Sequence, residues 1–169
     1  VKPLLLNRKK SINLKYVDIF FLDNVLKKKV KHQGVVVQSY KINQPNYQLI
    51  FQDKKYKCGI ILDRITDANN SGAIYRSAKA FALDFIINTK KNSILESSAL
   101  LNTACGAFDS VDTFVTNNIS NSIKTFITEG WWVIGLDHKA NLDIQEVISK
   151  LKRTEKCIFV FGSEGKGIR

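Results

Sequence analysis

From residue 57 onwards, short apolar runs alternate with stretches whose apolar residues recur at helical spacing. Five of the apolar runs have the length of buried strands: KCGIILD, DFIIN, DTFVT, WWVIGLD and KCIFVFG. The helix-like stretches between them are NNSGAIYRSAKAFA, ILESSALLNTACGAF, ISNSIKTFITEG and LDIQEVISKL. Because continuously apolar strands joined by helices form sheets covered on both faces, the pattern predicts an α/β fold with a parallel sheet.

The preceding part of the chain has a less regular pattern. Its lysine-rich pieces surround two short apolar runs, VDIFFL and GVVVQ, which we expect to be strands. Gln44-Pro45-Asn46 is typical of a turn or linker. We therefore divide the chain into a small, partial α+β module with a linker at residues 1–56 and an α/β domain at residues 57–169.

Composition adds few constraints but excludes several classes of protein. The 169 residues are 44% hydrophobic and 24% charged, which is ordinary for a globular chain. The longest apolar runs fall far short of the ~20 residues that a membrane span needs, so no membrane partner is expected. The three cysteines and two histidines lack the spacing of a disulfide framework or a zinc site. We expect a cytoplasmic protein with reduced thiols and without a metal.

The charge of the chain is concentrated at its start. Residues 1–57 carry 13 Lys+Arg and 3 Asp+Glu, a net charge of +10 out of the total of +11. Such an excess favours an acidic partner, most simply a nucleic-acid backbone, with a solvated basic surface as the alternative. The densest cluster supplies the candidate contacts Lys27, Lys28, Lys29 and Lys31.

The stretch NNSGAIYRSAKAFA predicts a helix with one side in the core. Asn69 or Asn70 is a suitable N-cap, because an amide oxygen accepts a hydrogen bond from a free backbone N–H group. Four apolar residues recur at the spacing of a buried stripe. They are Ile74, Ala78, Phe81 and Ala82.

Arg76 is predicted to lie on the opposite side of this helix. It follows Ile74 by two residues, or about 200° around the axis, and therefore points away from the core. Gly72, one turn earlier, is expected to leave space beside the guanidinium. An arginine in this position is suited to hold a phosphate or carboxylate with two N–H groups, and a solvated surface arginine is the alternative.

The segment IFVFGSEGKGIR places a glycine-rich loop directly after an apolar strand. Glycines allow backbone N–H groups to approach a ligand closely, and α/β sheets bind ligands at the carboxyl ends of their strands. The spacing of Gly162, Gly165 and Gly167 fits neither a phosphate-binding P-loop nor a dinucleotide fingerprint. The loop is therefore a candidate site of another kind, with an ordinary turn as the alternative.

Two of these segments resemble the sequence motifs of one enzyme family. LDRITDANNSGAIYRSA resembles the first motif of the SpoU (TrmH-type) RNA ribose 2′-O-methyltransferases of the SPOUT superfamily, and FVFGSEGKGIR resembles the second. The intervening sequence is similar to the branch that acts on a guanosine of large-subunit ribosomal RNA. KHQGVVVQ is similar to the join between that branch's RNA-binding module and its catalytic domain.

The resemblance implies S-adenosyl-L-methionine as the cofactor, with a ribose 2′-hydroxyl of RNA as the methyl acceptor. It favours ribosomal over transfer RNA and implies a SPOUT-type sheet with a trefoil knot and a homodimer. Matched by position, the implied catalytic residues are Asn70, Arg76 and Glu164. The implied cofactor-binding residues are Gly162, Ser163, Glu164, Gly135 and Gly167. RNA contacts are expected at Arg76 and at the four clustered lysines.

The sequence also departs from the family pattern. Ala68 replaces the usual proline of the first motif, and the third motif, with its Ile-Pro and Ser-Leu-Asn, does not occur in these residues. We therefore expect the knot, the cofactor pocket and the dimer interface to be incomplete in this chain, which lowers its expected activity. The alternatives are an inactive RNA-binding remnant of such an enzyme and a generic nucleotide-binding α/β domain.

Overall fold

The computed structural model divides into two compact units, Val1–Ile42 and Asn43–Arg169. The second unit thus begins before the boundary between residues 56 and 57 that the sequence suggests. The structure describes residues 13–26, 32–38, 44–90, 97–152, 154–165 and 167–168.

The first unit contains a helix where a strand was expected. Helix α1 spans Ile19–Leu26, so the expectation of a strand in VDIFFL was wrong. Asp18 accepts a hydrogen bond from the backbone N–H of Phe21 at 2.7 Å, which satisfies a free donor of the first helical turn. A short apolar run fits either structure, and here the local cap decides for the helix. The described residues 34–38, which contain GVVVQ, do not form a strand either.

The second unit is built on a five-stranded parallel sheet, which confirms the predicted fold class. Its spatial order is β3-β2-β1-β5-β4, so the last strand in sequence lies between the first and the fourth. At the junction of β1 and β5 the strand order reverses, which is where open α/β sheets bind ligands. The strands are β1 Cys58–Leu62, β2 Phe85–Thr89, β3 Asp112–Thr116, β4 Trp132–Leu136 and β5 Cys157–Phe161.

Four further helices follow strands of the sheet, and side chains of Asp67, Ser97, Asn118 and Asp143 cap their first turns. They are α2 Ala68–Ala80, α3 Ser98–Ala104, α4 Ile119–Thr128 and α5 Ile144–Lys150. A 3₁₀ helix spans Tyr47–Gln52. None of the helices in the described ranges is both long enough and apolar enough to cross a bilayer.

The two faces of the sheet carry separate hydrophobic cores. Successive residues of a strand point to opposite faces, so Ile61 packs in one core while Ile60 and Leu62 pack in the other. Helices α2 and α3 cover the second core. The first core is aromatic and includes Phe126 of α4 and Trp131.

Residues 44–56 pack with the sheet. Tyr47 and Ile50 are buried in the aromatic core, and Tyr47 lies 6.0 Å from Phe126 between ring centroids. The backbone N–H of Val115 donates to the carbonyl oxygen of Pro45 at 2.9 Å, which extends the edge of the sheet. The predicted turn or linker Gln44-Pro45-Asn46 therefore lies within the α/β unit.

Helix α2 begins and packs differently from its prediction. Asp67 is the N-cap and accepts from the backbone N–H of Asn70 at 2.8 Å, so neither predicted asparagine caps the helix. The predicted stripe has the wrong phase: Ala78 is buried, but Phe81 is 79% exposed and Tyr75 is fully buried. The helix turns this face towards α3, which the spacing of apolar residues alone did not reveal.

Gly72 supports this helix contact and does not serve Arg76. A Cβ atom at Gly72 would lie 2.7 Å from the Cβ of Thr103 and 2.8 Å from the carbonyl oxygen of Leu100. Real Cβ atoms do not approach other atoms so closely, so only glycine allows α2 and α3 to pack at this distance. The expectation that Gly72 leaves space beside the guanidinium was therefore wrong.

The hydroxyl of Tyr75 supports a stability prediction. It accepts a hydrogen bond from the side-chain amide of buried Asn88 at 2.8 Å and lies 3.1 Å from the hydroxyl of Thr113. Burial raises the pKa of Tyr75 to about 12, which keeps the hydroxyl neutral. Tyr75→Phe should lower the free energy of unfolding by about 1–3 kcal/mol, because the Asn88 amide would lose its partner. Urea unfolding would measure this change.

The matched control for this prediction is Phe81→Ala. Phe81 is the C-cap residue that directly follows α2 and its side chain is 79% exposed, so its removal should change stability by no more than about 0.5 kcal/mol. Equal effects of the two substitutions would contradict the observed phase of the helix.

Candidate functional site

The candidate site lies where β1 and β5 end side by side. The backbone N–H of Asp63 donates to the carbonyl oxygen of Phe161 at 2.7 Å, so the two strands stay paired up to the loops that follow them. These loops and the start of α2 enclose a cleft of about 350 Å³. Its lining residues are Arg64, Ile65, Thr66, Asp67, Asn70, Ile74, Phe161, Gly162, Ser163, Glu164 and Gly165.

The cleft brings together residues from both predicted motifs. Asn70 of α2 lines it together with Gly162, Ser163 and Glu164 of the loop after β5. These positions are more than ninety residues apart in the sequence. The parallel pairing of β1 with β5 is what brings them to one edge of the sheet.

Arg76 does not line this cleft. It is exposed on α2, as predicted, but the last residue of the helix that reaches the cleft is Ile74. Six residues separate Arg76 from Asn70, or about 9 Å along the helix axis. Arg76 is therefore not among the residues that line this cleft, and its catalytic role stays a prediction.

The loop after β5 folds back on itself through its own backbone. Ser163 and Gly167 form an antiparallel bridge, in which the N–H of Gly167 donates to the carbonyl oxygen of Ser163 at 2.8 Å. A Cβ atom at Gly162 would lie within 2.1 Å of the carbonyl carbon of Gly167. Gly167 has a φ of +64°, in the left-handed region that favours glycine. Both glycines are thus required by the shape of the loop.

A second cavity, of about 720 Å³, lies beyond the carboxyl end of β4. Residues of β4, of α5 and of the connection between them line it. They include the apolar Leu136, Leu142 and Val147, Gly135, and the polar Asp137, His138, Asn141 and Asp143. A Cβ atom at Gly135 would lie 3.2 Å from the side chain of Ile168. In the loop of residues 162–168, residues 162–165 therefore line the first cleft, and Ile168 lies next to the second cavity.

A comparison with models of protein families matches residues 57–169 to the one described as the SpoU rRNA Methylase family. The chain belongs to the SpoU rRNA methylase family. The matched region starts at the residue where the regular α/β pattern of the sequence begins. The resemblance seen in the two motifs is thereby confirmed.

Relatives of this SpoU chain carry methyltransferase names. An "Uncharacterized tRNA/rRNA methyltransferase" of Borreliella burgdorferi is 31% identical, over 94% of this chain and 73% of its own length. The 23S rRNA (guanosine-2′-O-)-methyltransferase RlmB of Coxiella burnetii is 32% identical, over 82% of this chain and 56% of its own length. The chain thus spans about half the length of this RlmB.

A solved SpoU structure has the same fold. The SpoU methyltransferase AviRb of Streptomyces viridochromogenes, in complex with the cofactor AdoMet, superposes with a TM-score of 0.62. The match covers 76% of this chain and 51% of that chain at 16% identity. At this identity the likeness concerns the arrangement of strands and helices.

The residues of the SpoU site suit a ligand that is held by backbone groups and apolar surface. The 162–168 loop exposes peptide groups to a ligand, because glycines stand where its backbone segments pack closest. The second cavity adds apolar side chains. This combination fits a nucleoside-like cofactor, whose polar edges need hydrogen bonds and whose base needs an apolar slot. Among the described residues, no cluster of His, Cys, Asp and Glu has the form of a metal site.

A positively charged residue of the SpoU cleft was not predicted from the sequence. Arg64 lines the cleft and has a φ of +55°, which is uncommon for a residue with a side chain. No sequence signal marks it, because the backbone conformation and the neighbouring β5 loop both depend on the fold. The predicted RNA contacts Lys27, Lys28, Lys29 and Lys31 lie outside the described residues and stay predictions.

Proposed function

We propose that this SpoU chain acts as an S-adenosylmethionine-dependent RNA 2′-O-ribose methyltransferase on a guanosine of ribosomal RNA. The observation that carries the proposal is the glycine-dependent 162–168 loop, which adjoins the cleft lined by Asn70 and Glu164 on one side and the second cavity on the other. The name of the RlmB relative supports the guanosine, the ribosomal RNA and the 2′-oxygen as the target.

The cofactor is placed at the loop and the second cavity. The peptide groups of Gly162, Ser163 and Gly167 would hold it, with Gly135 and the apolar side chains of the second cavity around its base. When bound, S-adenosylmethionine supplies a methyl group on a sulfonium sulfur, which is already electrophilic. The protein therefore needs chiefly to align the acceptor oxygen and to exclude water.

The polar cleft is assigned to the ribose. Asn70 and Glu164 line it with an amide and a carboxylate, which are suited to hydrogen-bond ribose hydroxyls. The guanidinium of Arg76 stays protonated in nearly any protein setting, so it is a poor general base. We assign it to holding the RNA phosphate and to stabilising the alkoxide as it forms.

The test of this function is methyl transfer to RNA by the intact protein. Ribosomal RNA that lacks the modification would be incubated with isotope-labelled S-adenosylmethionine and digested to nucleosides for mass spectrometry. We expect label in 2′-O-methylguanosine. Label on a base, on another ribose or in transfer RNA alone would contradict the proposed substrate.

A second candidate function is RNA binding without methyl transfer. The observation that favours it is the charge, since residues 1–57 carry a net +10. Calorimetry of the purified chain with S-adenosylmethionine separates the two candidates. Heat of binding at micromolar ligand supports the enzyme, and its absence together with salt-dependent RNA binding supports the binding protein.

The homodimer is part of the same proposal. Trp132 of β4 is 53% exposed. Leu142, just before α5, is 58% exposed, and Ile148 of α5 is 48% exposed. Exposed apolar side chains on neighbouring elements are typical of a surface that associates. Sedimentation equilibrium of the chain would measure its oligomeric state, and a monomer at all concentrations would contradict this part.

A further inference from the structure

Arg64 is held in an unusual conformation at the wall of the polar cleft. Its φ of +55° lies in the left-handed region, which costs a residue with a Cβ atom of the order of 1 kcal/mol. Such strain persists where the surroundings determine the conformation, and it concentrates at functional sites. The backbone of Arg64 directly follows β1, whose pairing with β5 fixes it.

The side chain of Arg64 is oriented by the residue before it. Its Nε atom donates to the Oδ1 atom of Asp63 at 3.4 Å, and the Asp63 side chain is only 2% exposed. The Arg64 side chain is 23% exposed. This contact engages one N–H of the guanidinium, while the two terminal NH₂ groups carry the donors that bind a phosphate in a fork.

Arg64 differs in the sign of its charge from the other charged residues that line the cleft. Among the described residues that line it, Arg64 carries the positive charge, and Asp67 and Glu164 carry negative charges. The Asp67 carboxylate caps α2. An anionic group that enters between these residues would be attracted to Arg64 and repelled by Glu164, which fixes the side of the cleft that it occupies.

We propose that Arg64 binds the backbone phosphate next to the ribose that the cleft receives. This inference rests on the proposed function, because the ribose is assigned to the cleft there. Arg64 is a substrate-positioning residue in this role, and it acts within the cleft, whereas Arg76 lies outside the residues that line it. Neutralising the buried carboxylate of Asp63 is the purely structural role that the experiment has to separate from it.

The experiment compares guanosine 5′-monophosphate with guanosine, which differ only in the phosphate. The Nε–H resonance of Arg64 would be followed by NMR during titration of the wild-type chain with each ligand. We expect guanosine 5′-monophosphate to shift this resonance in a saturable way and to bind at least about fivefold more tightly than guanosine. An unchanged resonance at saturation overturns the proposal without any variant.

Two variants separate phosphate binding from structural support. Arg64→Gln should abolish the preference for guanosine 5′-monophosphate, and Arg64→Lys should retain only part of it because lysine lacks the fork. Lys124→Gln on α4 removes the same charge away from the lining residues and should leave the preference intact. A lower melting temperature of Arg64→Gln with an unchanged preference would assign Arg64 to structure alone.

A failure of this proposal can be distinguished from a failure of the proposed function. Methyl transfer by the wild type together with a silent Arg64 resonance overturns the role of Arg64 only. If Arg64→Gln weakens binding of S-adenosylhomocysteine and not of guanosine 5′-monophosphate, Arg64 contacts the cofactor carboxylate, and the phosphate assignment is wrong.

A separate feature lies at the opposite end of the same two strands. Cys58 and Cys157 are direct partners in the register of β1 and β5, and their Sγ atoms are 3.4 Å apart. Neighbouring strands are about 4.8 Å apart, which lies in the range of Cα separations that a disulfide bridges. Both cysteines are half-buried, and both are free thiols.

The two thiols differ in acidity. The hydrogen bond with Cys157 and then burial raise the pKa of Cys58 well above its usual range. The same hydrogen bond lowers the pKa of Cys157. Since the thiolate is the reactive form, Cys157 is the thiol that reacts first and Cys58 the one that resolves the product.

We infer that Cys58 and Cys157 form a reversible dithiol–disulfide pair that low-molecular-weight disulfides oxidise. The Cys157 thiolate attacks one sulfur of glutathione disulfide and releases a glutathione thiolate. Cys58 then loses its proton and attacks the Cys157 sulfur of the mixed disulfide, releasing the second glutathione. The protein dithiol loses two electrons and two protons, and one glutathione disulfide becomes two glutathione thiols.

The test uses intact-mass spectrometry of the folded chain in a Cys105→Ser background, because Cys105 is exposed and would react by itself. Glutathione disulfide should remove two hydrogen atoms and leave no adduct, and dithiothreitol should reverse the change. A Cys58→Ser variant should instead keep glutathione on Cys157. A stable adduct on Cys157 with Cys58 present, or no reaction of either thiol, overturns the inference.

Discussion

Replacing Gly162 by alanine is expected to disrupt the 162–168 loop and to weaken the binding of S-adenosylhomocysteine by at least about tenfold. The new Cβ atom would lie 2.1 Å from the carbonyl carbon and 2.3 Å from the carbonyl oxygen of Gly167. These are backbone atoms, so no side-chain rotation removes the overlap and the loop itself has to move. We expect a loss of stability of about 1–3 kcal/mol as well.

Gly165→Ala is the matched control in the same loop. A Cβ atom at Gly165 meets nothing within 4 Å, so this variant should bind and unfold like the wild type. Hydrogen exchange at the Gly167 amide gives a second readout that does not depend on ligand binding. The amide should exchange faster in Gly162→Ala alone, since its hydrogen bond to Ser163 is then lost. Equal behaviour of the two variants would show that the close approach is not required.

Arg76→Ala is expected to lower methyl transfer by the intact protein about 10²–10³-fold while leaving cofactor binding near normal. The magnitude is that of removing one positioned donor from a developing oxyanion. Cofactor binding should persist because Arg76 is exposed on α2 and is not among the residues that line the cleft or the second cavity. Single-turnover transfer and calorimetry with S-adenosylhomocysteine measure the two quantities.

Lys124→Ala provides the control for a general loss of positive charge. Lys124 belongs to α4, outside the residues that line either cavity, so its removal should leave the transfer rate unchanged. Loss of transfer and cofactor binding together in Arg76→Ala would assign Arg76 to the fold. Near-normal transfer would show that Arg76 takes no part in the reaction. That outcome would agree with its position outside the residues that line the cleft.

The strands of this protein were predictable because their sequence signal is strong. Each of the five is a short apolar run with polar or glycine-containing ends, and each alternates with a stretch of helical spacing. Their parallel pairing followed from the helices between them. The strand order was not predictable, because it depends on which faces of the helices pack against the sheet.

The errors concern residues whose structure depends on distant contacts. The phase of α2 was taken from Ile74 and Phe81, whereas the helix buries Tyr75, whose hydroxyl finds partners on β2 and β3. A tyrosine with two polar partners packs in a core as well as a phenylalanine does. Gln44-Pro45-Asn46 likewise looked like a turn or linker, whereas the carbonyl oxygen of Pro45 accepts a hydrogen bond from Val115 at the edge of the sheet.

The candidate site was predictable as far as the backbone forms it. The spacing of glycines in GSEGKG indicated a tight loop after a strand, and the structure shows the contacts that require Gly162 and Gly167. Side chains were less predictable. Arg64 reaches the cleft only because β1 and β5 are neighbours. Arg76 lies outside the lining residues although Ile74, two residues earlier on α2, is one of them.

The position of β5 between β1 and β4 has a consequence for synthesis of the protein. Cys58 and Cys157, which pair across β1 and β5, are 99 residues apart in sequence. While the ribosome makes the chain from its amino terminus, one edge of β1 and the whole of β4 lack their partner strand until β5 emerges. Nascent chains therefore present open, apolar strand edges before β5 is made, which is when a holding chaperone would protect them from aggregation.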